Sequence, residues 1–305
     1  MITALAGGVG AARFLTGLAK LVNEKDFSVI VNTGDDIELF GLHISPDIDI
    51  VTYTLAGIVD EEKGWGIRGD TFQCLEALRR FNQETWFNIG DRDLATHLFR
   101  TSRLKQGRKL SEVTHEVSRA LGLNTSVLPM TDDKFETRIV TENGSVHFEE
   151  YLIKRGAKDA VLGVEFLGAA SAKPAAGVID SVLKAELIIV CPSNPIVSIG
   201  TILAVKGIRD ALRQTNAKKV AISPIIAGAP IKGPADKLLR GLGHEVSAYS
   251  VAKLYADFLG TFIVDTIDSA EKNKIEKLGI EVKVTNTIMR TLEDKIQLAK
   301  TVLEG

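Results

Sequence analysis

The feature that most constrains the fold is an alternation of short apolar runs with segments of helical periodicity. Strands are predicted at Ile2–Ala6, Ser28–Val31, Trp86–Ile89, Leu187–Cys191, Val220–Ser223 and Phe262–Val264. Helices are predicted to begin near Ala11, Ile50, Thr71, Leu94, Ser111, Pro174, Ile199, Pro234, Ala252, Ala270 and Thr291. Strands that alternate with helices form parallel sheets. The sequence therefore predicts an α/β fold with a doubly wound, Rossmann-like and mostly parallel sheet.

One region interrupts this alternation. The segment from Leu94 to Leu121 has only helical periodicity, and the segments Thr137–Glu142 and Ser145–Ile153 flank Asn143-Gly144. An Asn-Gly pair between two apolar runs is a strong hairpin signal. We therefore predict a helical and hairpin insertion, about residues 93 to 160, within a single domain that spans residues 1–305.

The composition excludes several classes of protein. The 37 Lys and Arg residues nearly balance the 39 Asp and Glu residues, so no overall basic field attracts nucleic acid or an acidic membrane. Cys74 and Cys191 are too few and too far apart for a disulfide framework or a structural zinc site. Aliphatic runs such as Leu187 to Cys191 are too short to span a membrane, and Met1 to Leu15 lacks the features of a signal peptide. We expect a cytoplasmic protein.

Five predicted strands run directly into polar, Gly-rich or Pro-rich turns. In an open parallel sheet, ligands bind beyond the carboxyl ends of the strands. Each turn alone is compatible with an ordinary connection, but five at one edge predict a composite ligand site. The turns are Gly7–Arg13, Asn32–Asp36, Gly90–Asp93, Pro192–Pro195 and Pro224–Gly228.

The first turn is similar to a dinucleotide-binding fingerprint but departs from it. Arg13 stands where a small residue packs helix against strand, and Asn32 ends the second strand where an NAD-binding protein has a carboxylate. The glycines still allow a phosphate to approach a helix N-terminus, where Arg13 can pair with it. We therefore favour another phosphorylated ligand over NAD; a tight turn without a ligand is the alternative.

Four carboxylates lie in or near the loop after the second strand: Asp35, Asp36, Asp47 and Asp49. Carboxylate oxygens suit Mg²⁺, which commonly takes one or two of them together with substrate phosphate and water. The alternative is structural, because Asp49 can cap a helix beginning at Ile50 and Asp47 can belong to a Pro-led turn. We predict a magnesium site here.

Opposite charges are packed together in Gly90–Asp93. Arg92 lies between Asp91 and Asp93, which favours an arginine held to bind an anion, although Asp93 can instead be a helix N-cap. His97 follows Asp93 by one turn on the same helix face, so it is either a site residue or a partly buried structural histidine. No nucleophile elbow or Cys–His pair stands out, so the sequence gives covalent catalysis no support.

Taken together, six motifs resemble those of the 2-phospho-L-lactate transferase family (CofD), whose members act in the biosynthesis of the deazaflavin coenzyme F420. The resemblance covers residues 1 to past 230. It implies a Mg²⁺-dependent transferase that moves a 2-phospholactyl group from lactyl-diphosphoguanosine to the ribityl hydroxyl of the deazaflavin alcohol FO, releasing GMP. Bacterial relatives are expected to prefer a phosphoenolpyruvyl donor. The motifs are Gly7–Leu15, Asn32–Asp36, Ser45–Asp49, Gly90–His97, Pro192–Gly200 and Ser223–Gly228.

The resemblance also implies roles for particular residues and a homodimer. Metal binding is expected at Asp35, Asp36, Asp47 and Asp49, and catalysis at Asp47, Asp49, Asp91 and Arg92. FO is expected to contact Asp49, Asn88, Asp91, Arg92 and His97, with Trp65 and Trp86 as stacking candidates, although Trp86 is expected to be a buried core residue instead. The GMP or GDP part is expected to contact Gly7, Gly8, Gly10, Arg13, Ser193, Asn194 and Ser198.

Two other functions are alternatives to the transferase. A related family of sugar-nucleotide-binding regulatory proteins shares the fold and a glycine-rich first turn, but the Gly90–His97 motif favours a transferase. An NAD-dependent dehydrogenase is disfavoured by Arg13 and Asn32.

Overall fold

A computed structural model of the protein describes residues 1–304 and contains strands and helices in alternation. The strands are β1 (Ile2–Ala6), β2 (Phe27–Val31), β3 (Ile37–Leu39), β4 (Leu42–Ile44), β5 (Ser126–Pro129), β6 (Glu136–Thr141), β7 (Gly144–His147), β8 (Gly163–Leu167), β9 (Leu187–Val190), β10 (Lys218–Ile222), β11 (Ile225–Ile226), β12 (Ala229–Pro230), β13 (Thr261–Asp265) and β14 (Glu281–Thr285).

The α-helices lie mainly between the strands of the central sheet. They are α1 (Gly8–Leu18), α2 (Pro46–Leu55), α3 (Gln73–Arg79), α4 (Asp91–Lys105), α5 (Leu110–Ala120), α6 (Val178–Leu183), α7 (Ile199–Ala204), α8 (Ile208–Gln214), α9 (Ala235–Gly241), α10 (Ala248–Tyr255), α11 (Lys272–Glu276) and α12 (Leu292–Leu303). Short 3₁₀ helices at Glu24–Asp26 and Thr266–Glu271 and a π-helical turn at Glu150–Lys154 complete the helical segments of residues 1–304. No helix in this part of the chain is long and apolar enough to cross a membrane.

Seven parallel strands form the central sheet in the order β14-β13-β10-β9-β1-β2-β5. Side chains of a strand alternate between the two faces, so each face has its own apolar core. Ala4 and Ala6 of β1 pack into the core formed with α1, α2 and α12, whereas Leu5 packs into the opposite core. The predicted fold class is confirmed.

Several predicted boundaries are wrong for identifiable reasons. The run Trp86–Ile89 is a loop, because a short apolar run alone does not distinguish a strand from a buried connection. The edge strands β5 and β14 and helix α8 are not predicted; each edge strand has only one neighbour, and β14 is rich in polar residues. Helix α2 begins at Pro46 rather than near Ile50, with proline in its first turn. Asp47 and Asp49 therefore belong to the first turn of a helix.

The region predicted as an insertion has two structural parts. Helices α4 and α5 pack against each other, and the Asn143-Gly144 hairpin forms as β6 and β7, with β8 as a third antiparallel strand. Strand β5, between these parts, belongs to the central sheet. The three-stranded sheet contacts the loop after β2, where the Thr137 amide donates to the Gly34 carbonyl at 2.7 Å.

Candidate active site

A cavity of about 820 Å³ opens at the carboxyl ends of β1, β2, β9 and β10. All but three of the predicted site residues line it, so the separate turns do form one composite pocket, as the sequence predicts. The lining residues among them are Gly7, Gly8, Gly10, Arg13, Asp35, Asp47, Asp49, Asn88, His97, Ser193, Asn194 and Ser198.

The glycine turn is shaped by contacts within the protein as well as by the space that it leaves for a ligand. Gly8 has a φ of 69°, which favours glycine, and its amide donates to Asp47 Oδ1 at 2.8 Å. A Cβ at Gly7 would lie 2.6 Å from Asp47 Oδ2, and one at Gly10 would overlap the carbonyl oxygen of Pro192. The turn therefore joins β1 tightly to α2 and to the loop after β9.

Asn32, at the end of β2, organises the acidic side of the cavity. Its Nδ2 donates to Asp35 Oδ2 at 3.0 Å and to Asp47 Oδ2 at 2.9 Å. Its Oδ1 accepts from the Gly34 amide at 2.8 Å and from Thr201 Oγ1 at 2.7 Å. The residue that argued against NAD binding is thus the group that holds two carboxylates in place.

These carboxylates are buried without a matching cation from the described residues. Asp35 Oδ1 has no hydrogen-bond partner within residues 1–304. Burial and repulsion by Asp47 raise the pKa of Asp35 well above its usual value. Burial also raises the pKa of Asp47 to about 6, although hydrogen bonds from Asn32 and Gly8 lower it. A group of acids that resists ionisation in this way is a candidate cation site.

Glu149 joins this acidic group and is not predicted from the sequence. It lines the cavity, and burial, followed by repulsion from Asp47 and Asp36, raises its pKa to about 8. The sequence predicts a strand as far as Ile153, but β7 ends at His147 and the chain turns into the cavity wall. Phe148 and Glu149 are both buried although they are neighbours, so the segment is no longer a strand with alternating faces, and the sequence alone gives no signal that Glu149 turns inward.

A second buried cluster lies beside the first and contains its own cation. Both terminal nitrogens of Arg100, which is only 1% exposed, donate to the carboxylate of Asp49. His97 Nδ1 lies 3.7 Å from Asp49 and its Nε2 lies 3.4 Å from Asp93, which also accepts from Tyr53 Oη at 2.8 Å. Burial raises the pKa of Asp49, although Arg100 and His97 lower it.

Asp49 has a cationic partner within the protein, unlike the other predicted metal ligands Asp35 and Asp47. Asp49, Asp93 and His97 offer ligand atoms within 4.8 Å of one another, a spacing compatible with a metal. The guanidinium of Arg100 already supplies the positive charge there. One face of α4 carries Asp93, His97 and Arg100, because His97 follows Asp93 by four residues and Arg100 follows His97 by three. This helical spacing is the signal in the sequence that aligns Arg100 with the two predicted site residues.

Three predicted site residues do not line the cavity. Asp36 accepts from Ser45 Oγ at 2.8 Å and lies 2.9 Å from His43 Nε2. Asp91 caps α3, accepting from the amides of Gln73 and Cys74. The exposed side chain of Arg92 makes a 3.4 Å hydrogen bond to the Arg68 carbonyl instead of pairing with Asp91 or Asp93.

Asp70 caps the N-terminus of α4, where Arg92 and Asp93 lie. Its carboxylate accepts from the amides of Arg92 and Asp93 at 2.9–3.1 Å, so it satisfies the N-terminus of α4. Asp93 is therefore not the N-cap that the sequence allowed, and its side chain turns inward to Tyr53 and His97.

Three cations complete the polar lining. Arg13, Lys232 and Arg290 line the cavity, and none forms an ion pair with a carboxylate in the part of the chain that the structure describes. Burial and the nearby charge of Arg13 lower the pKa of Lys232. Unpaired cations and buried carboxylates in one cavity suit an anionic ligand that is bound together with a metal ion.

The cavity also has an aromatic surface. Trp65, Phe87 and Phe148 line it, together with Tyr53. Trp86, the second stacking candidate, does not line it and packs edge-on against Phe87 at 5.8 Å between ring centroids. A flat apolar ligand group therefore has aromatic partners at this site.

Comparisons with known proteins agree with the motifs. Residues 2–300 match the family model of 2-phospho-L-lactate transferase CofD. The chain is 42% identical over 309 residues to the phosphoenolpyruvate transferase of Streptomyces griseus, covering 99% of this chain and 97% of that protein. It is 42% identical over 303 residues to the 2-phospho-L-lactate transferase of Methanothermobacter thermautotrophicus, with the same shares covered.

A solved structure shares the fold. The UPF0052-family protein from Bacillus halodurans superposes with a TM-score of 0.65 at 17% identity, covering 99% of this chain and 98% of that one. This likeness concerns the fold, whereas the matches over nearly the whole sequence identify the family. The chain belongs to the CofD family of 2-phospho-L-lactate transferases.

Proposed function

We propose that this transferase moves the 2-phospholactyl group from lactyl-diphosphoguanosine to the terminal ribityl hydroxyl of FO and releases GMP. One observation carries the proposal: a single cavity combines buried carboxylates, unpaired cations and aromatic side chains. A diphosphate donor needs the first two features, and a deazaflavin ring suits the third.

In this reaction the hydroxyl oxygen of FO attacks the phosphorus that bears lactate. The bond from that phosphorus to the oxygen of GMP breaks, and GMP leaves with the electron pair. The hydroxyl proton passes to a carboxylate, for which Asp47 and Asp49 are the candidates because both line the cavity. Phosphoryl transfer of this kind depends on positioning and charge neutralisation more than on a covalent nucleophile.

Mg²⁺ fits the acidic group formed by Asp35, Asp47 and their neighbours. Asp35 Oδ1 is buried with no partner among the described residues, and Asn32 holds the other oxygen of Asp35 as well as Asp47. We propose that Asp35 and Asp47 hold the ion, which would neutralise charge on the diphosphate. Asp49 is bound instead to Arg100, so its proposed role is toward FO.

The guanosine phosphate part would lie at the glycine turn and the loop after β9. Arg13 is free to pair with phosphate, and Ser193 and Asn194 line the same wall. Asn194 Oδ1 accepts from the amides of Ile196 and Val197, which leaves its amide nitrogen available to a ligand. FO would then occupy the wall of Trp65, Phe87 and His97.

The names of the relatives support a second candidate for the donor substrate. Proteins called phosphoenolpyruvate transferase and 2-phospho-L-lactate transferase are about equally similar to this chain, at 42% identity each. A phosphoenolpyruvyl-diphosphoguanosine donor is therefore the alternative, with the same bonds formed and broken at phosphorus.

The test is to incubate the purified protein with FO, Mg²⁺ and each donor separately. We expect GMP and a phospholactyl deazaflavin, identified by mass, and neither product when the divalent cation is chelated. Greater product from the phosphoenolpyruvyl donor would replace the proposed donor by the alternative. Nucleotide binding without GMP release from either donor would favour the regulatory function instead.

A further inference from the structure

A buried arginine holds the carboxylate that the proposed function assigns to FO. Arg100 Nη1 donates to Asp49 Oδ2 at 3.0 Å, and Arg100 Nη2 donates to Asp49 Oδ1. Asp49 belongs to α2 and lines the cavity, whereas Arg100 belongs to α4 and does not line it. Arg100 therefore acts on a ligand in this cavity only through Asp49.

His97 holds the guanidinium from a second side. Arg100 stays protonated and only donates, so His97 Nδ1, at 3.2 Å from Arg100 Nη1, accepts their hydrogen bond. A ring nitrogen that accepts carries no hydrogen, so the hydrogen of His97 is on Nε2, which lies 3.4 Å from Asp93 Oδ1. Asp93 in turn accepts from Tyr53 Oη at 2.8 Å. The arginine is thus fixed between Asp49 and a row of three side chains.

This pairing leaves Asp49 able to accept from a ligand. Within residues 1–304, its carboxylate accepts hydrogen bonds from Arg100 alone. An ionised carboxylate has about four lone-pair positions, of which Arg100 takes one on each oxygen. The remaining positions are available to a hydroxyl group in the cavity.

A stabilising role alone does not account for a charged pair at this place. Burial of two charges costs desolvation, and apolar residues of similar volume often stabilise a protein as well as a buried ion pair does. An arginine that bonds to both oxygens also fixes the plane of the carboxylate, which an apolar pair cannot do. The pair is therefore suited to set the direction in which Asp49 faces the cavity.

A metal ion is the competing partner for Asp49. The ligand atoms of Asp49, Asp93 and His97 lie within 4.8 Å of one another. However, His97 Nδ1 already accepts from Arg100, and the guanidinium would repel a second cation beside Asp49. The cluster is accordingly built around the arginine.

We propose that Arg100 is a positioning residue of the transfer reaction, which holds the Asp49 carboxylate in the orientation that receives the attacking hydroxyl of FO. The inference rests on the proposed function, in which Asp49 contacts that hydroxyl. It adds a residue that touches neither substrate. Misplacing a reacting group by about 1 Å can cost roughly a hundredfold in rate, so losing this residue should lower kcat rather than donor binding.

The test is a double-variant cycle on kcat, with GMP release as the assay and whichever donor the unmodified protein uses. We expect Asp49→Asn to lower kcat about a hundredfold or more, and Arg100→Met to lower it at least about tenfold. Because Arg100 acts through Asp49, adding Arg100→Met to Asp49→Asn should lower kcat no further. Independent damage would multiply the two losses. Circular dichroism gives the folded fraction, so that kcat is expressed per folded molecule.

Arg100→Lys gives a second measurement if the Met variant fails to fold. Lysine keeps the charge but cannot bond to both oxygens in one plane. We expect kcat to fall at least about tenfold while the KM for the donor stays within about twofold. Arg103→Met is the matched control, because Arg103 lies one turn further along α4, pairs with Glu116 at 3.0 Å and does not line the cavity. It should keep the kcat of the unmodified protein.

Two results overturn the inference and leave the transfer function standing. One is a double variant in which the two losses multiply, and the other is an Arg100→Lys protein with unchanged kcat. A different result concerns the function itself: if the unmodified protein releases no GMP from either donor, the proposed function is refuted, and this inference with it.

Discussion

Arg100 is a buried cation whose pairing has a large energetic consequence. Both of its terminal nitrogens bond to Asp49, and it is 1% exposed. Removing one partner of a buried pair leaves an uncompensated charge, which typically costs about 3–5 kcal/mol. We expect Arg100→Met to lower the free energy of unfolding by about that amount, measured by urea denaturation.

The double variant Asp49→Asn with Arg100→Met is the control for this prediction, because it removes both charges. It should lose less stability than Arg100→Met alone. If the single and double variants are equally stable, Asp49 is not an unpaired charge in the single variant, and the pair does not act as described.

Arg13 and Arg92 are both predicted phosphate ligands, yet they occupy different places. Arg13 lines the cavity without an acidic partner in the described residues, whereas Arg92 is exposed and bonds to the Arg68 carbonyl. A hydrogen bond to a charged group is worth about 1.5–3 kcal/mol, which corresponds to roughly tenfold or more. We therefore expect Arg13→Ala to lower kcat/KM for the donor at least about tenfold.

Arg92→Ala is the paired measurement, and we expect it to change kcat/KM for the donor less than Arg13→Ala does. Both variants should keep the Tm, because neither side chain forms an ion pair with a described residue. A larger loss from Arg92→Ala would mean that its side chain reaches the substrate in the complex.

Residues at strand ends were the ones that sequence reasoning located. Asp47, Gly8 and Ser193 follow buried strands or open a helix, and the parallel sheet itself brings such positions together. Arg100 and Glu149 were missed for a different reason. The spacing along α4 aligns Arg100 with Asp93 and His97, but only tertiary packing determines that this helix face turns inward. Tertiary packing likewise determines which way the segment after β7 turns, and with it Glu149.

At the scale of the elements, α1 approaches the loop after β9 very closely. A Cβ at Gly10 would lie well inside 3.0 Å of the Pro192 carbonyl oxygen, a backbone atom that has no rotamer to change. Overpacking of this kind costs about 1–3 kcal/mol. We expect Gly10→Ala to lower the Tm and to reduce donor binding, because α1 must move away from the cavity wall.

Gly260→Ala is a suitable control for Gly10→Ala. The backbone of Gly260 has no positive φ, and the nearest atom to its added Cβ is the Lys219 carbonyl oxygen at 3.5 Å, an ordinary contact. Calorimetric melting of both variants separates the close approach from the general cost of replacing glycine. If Gly10→Ala and Gly260→Ala melt at the same temperature, α1 can move away from Pro192 without a measurable loss of stability.

The central strands could be predicted from the sequence, but the edge strands could not. Strand β9 is buried and consists of continuous apolar residues, and β1 is apolar except for the buried Thr3. Strand β14 alternates Glu281, Lys283 and Thr285 with valines, as an edge strand with one neighbour can. The same polarity makes it similar to a loop when only the sequence is considered.

For the whole molecule, the buried acids predict how stability depends on pH. Without a divalent cation, the pKa of Asp47 is raised to about 6 and that of Glu149 to about 8. Between about pH 5 and 8 the folded chain therefore binds protons that the unfolded chain has released. Folding then takes up protons, so the free energy of unfolding falls as the pH rises through this window.

We expect urea denaturation in a chelator to show this decline from pH 5 to 8, and Mg²⁺ to reduce it at pH 8 by favouring the ionised carboxylates. Asp257 contributes to the pH dependence with the opposite sign, because Arg209 lowers its pKa to about 2. Its contribution to stability is lost only below about pH 4, outside this window. Stability that is constant or rises between pH 5 and 8 would contradict the prediction.

The position of β1 in the sheet also has a consequence for synthesis of the protein. Its neighbour on one side is β2, but on the other side Ile2 pairs with Leu187, which is made 185 residues later. At 5–20 residues per second, that edge of β1 waits on the ribosome for roughly 10–40 seconds. An open edge of apolar strand invites pairing with other chains. We therefore expect nascent chains that end before β9 to need chaperones, and to become soluble on their own only after that strand has emerged.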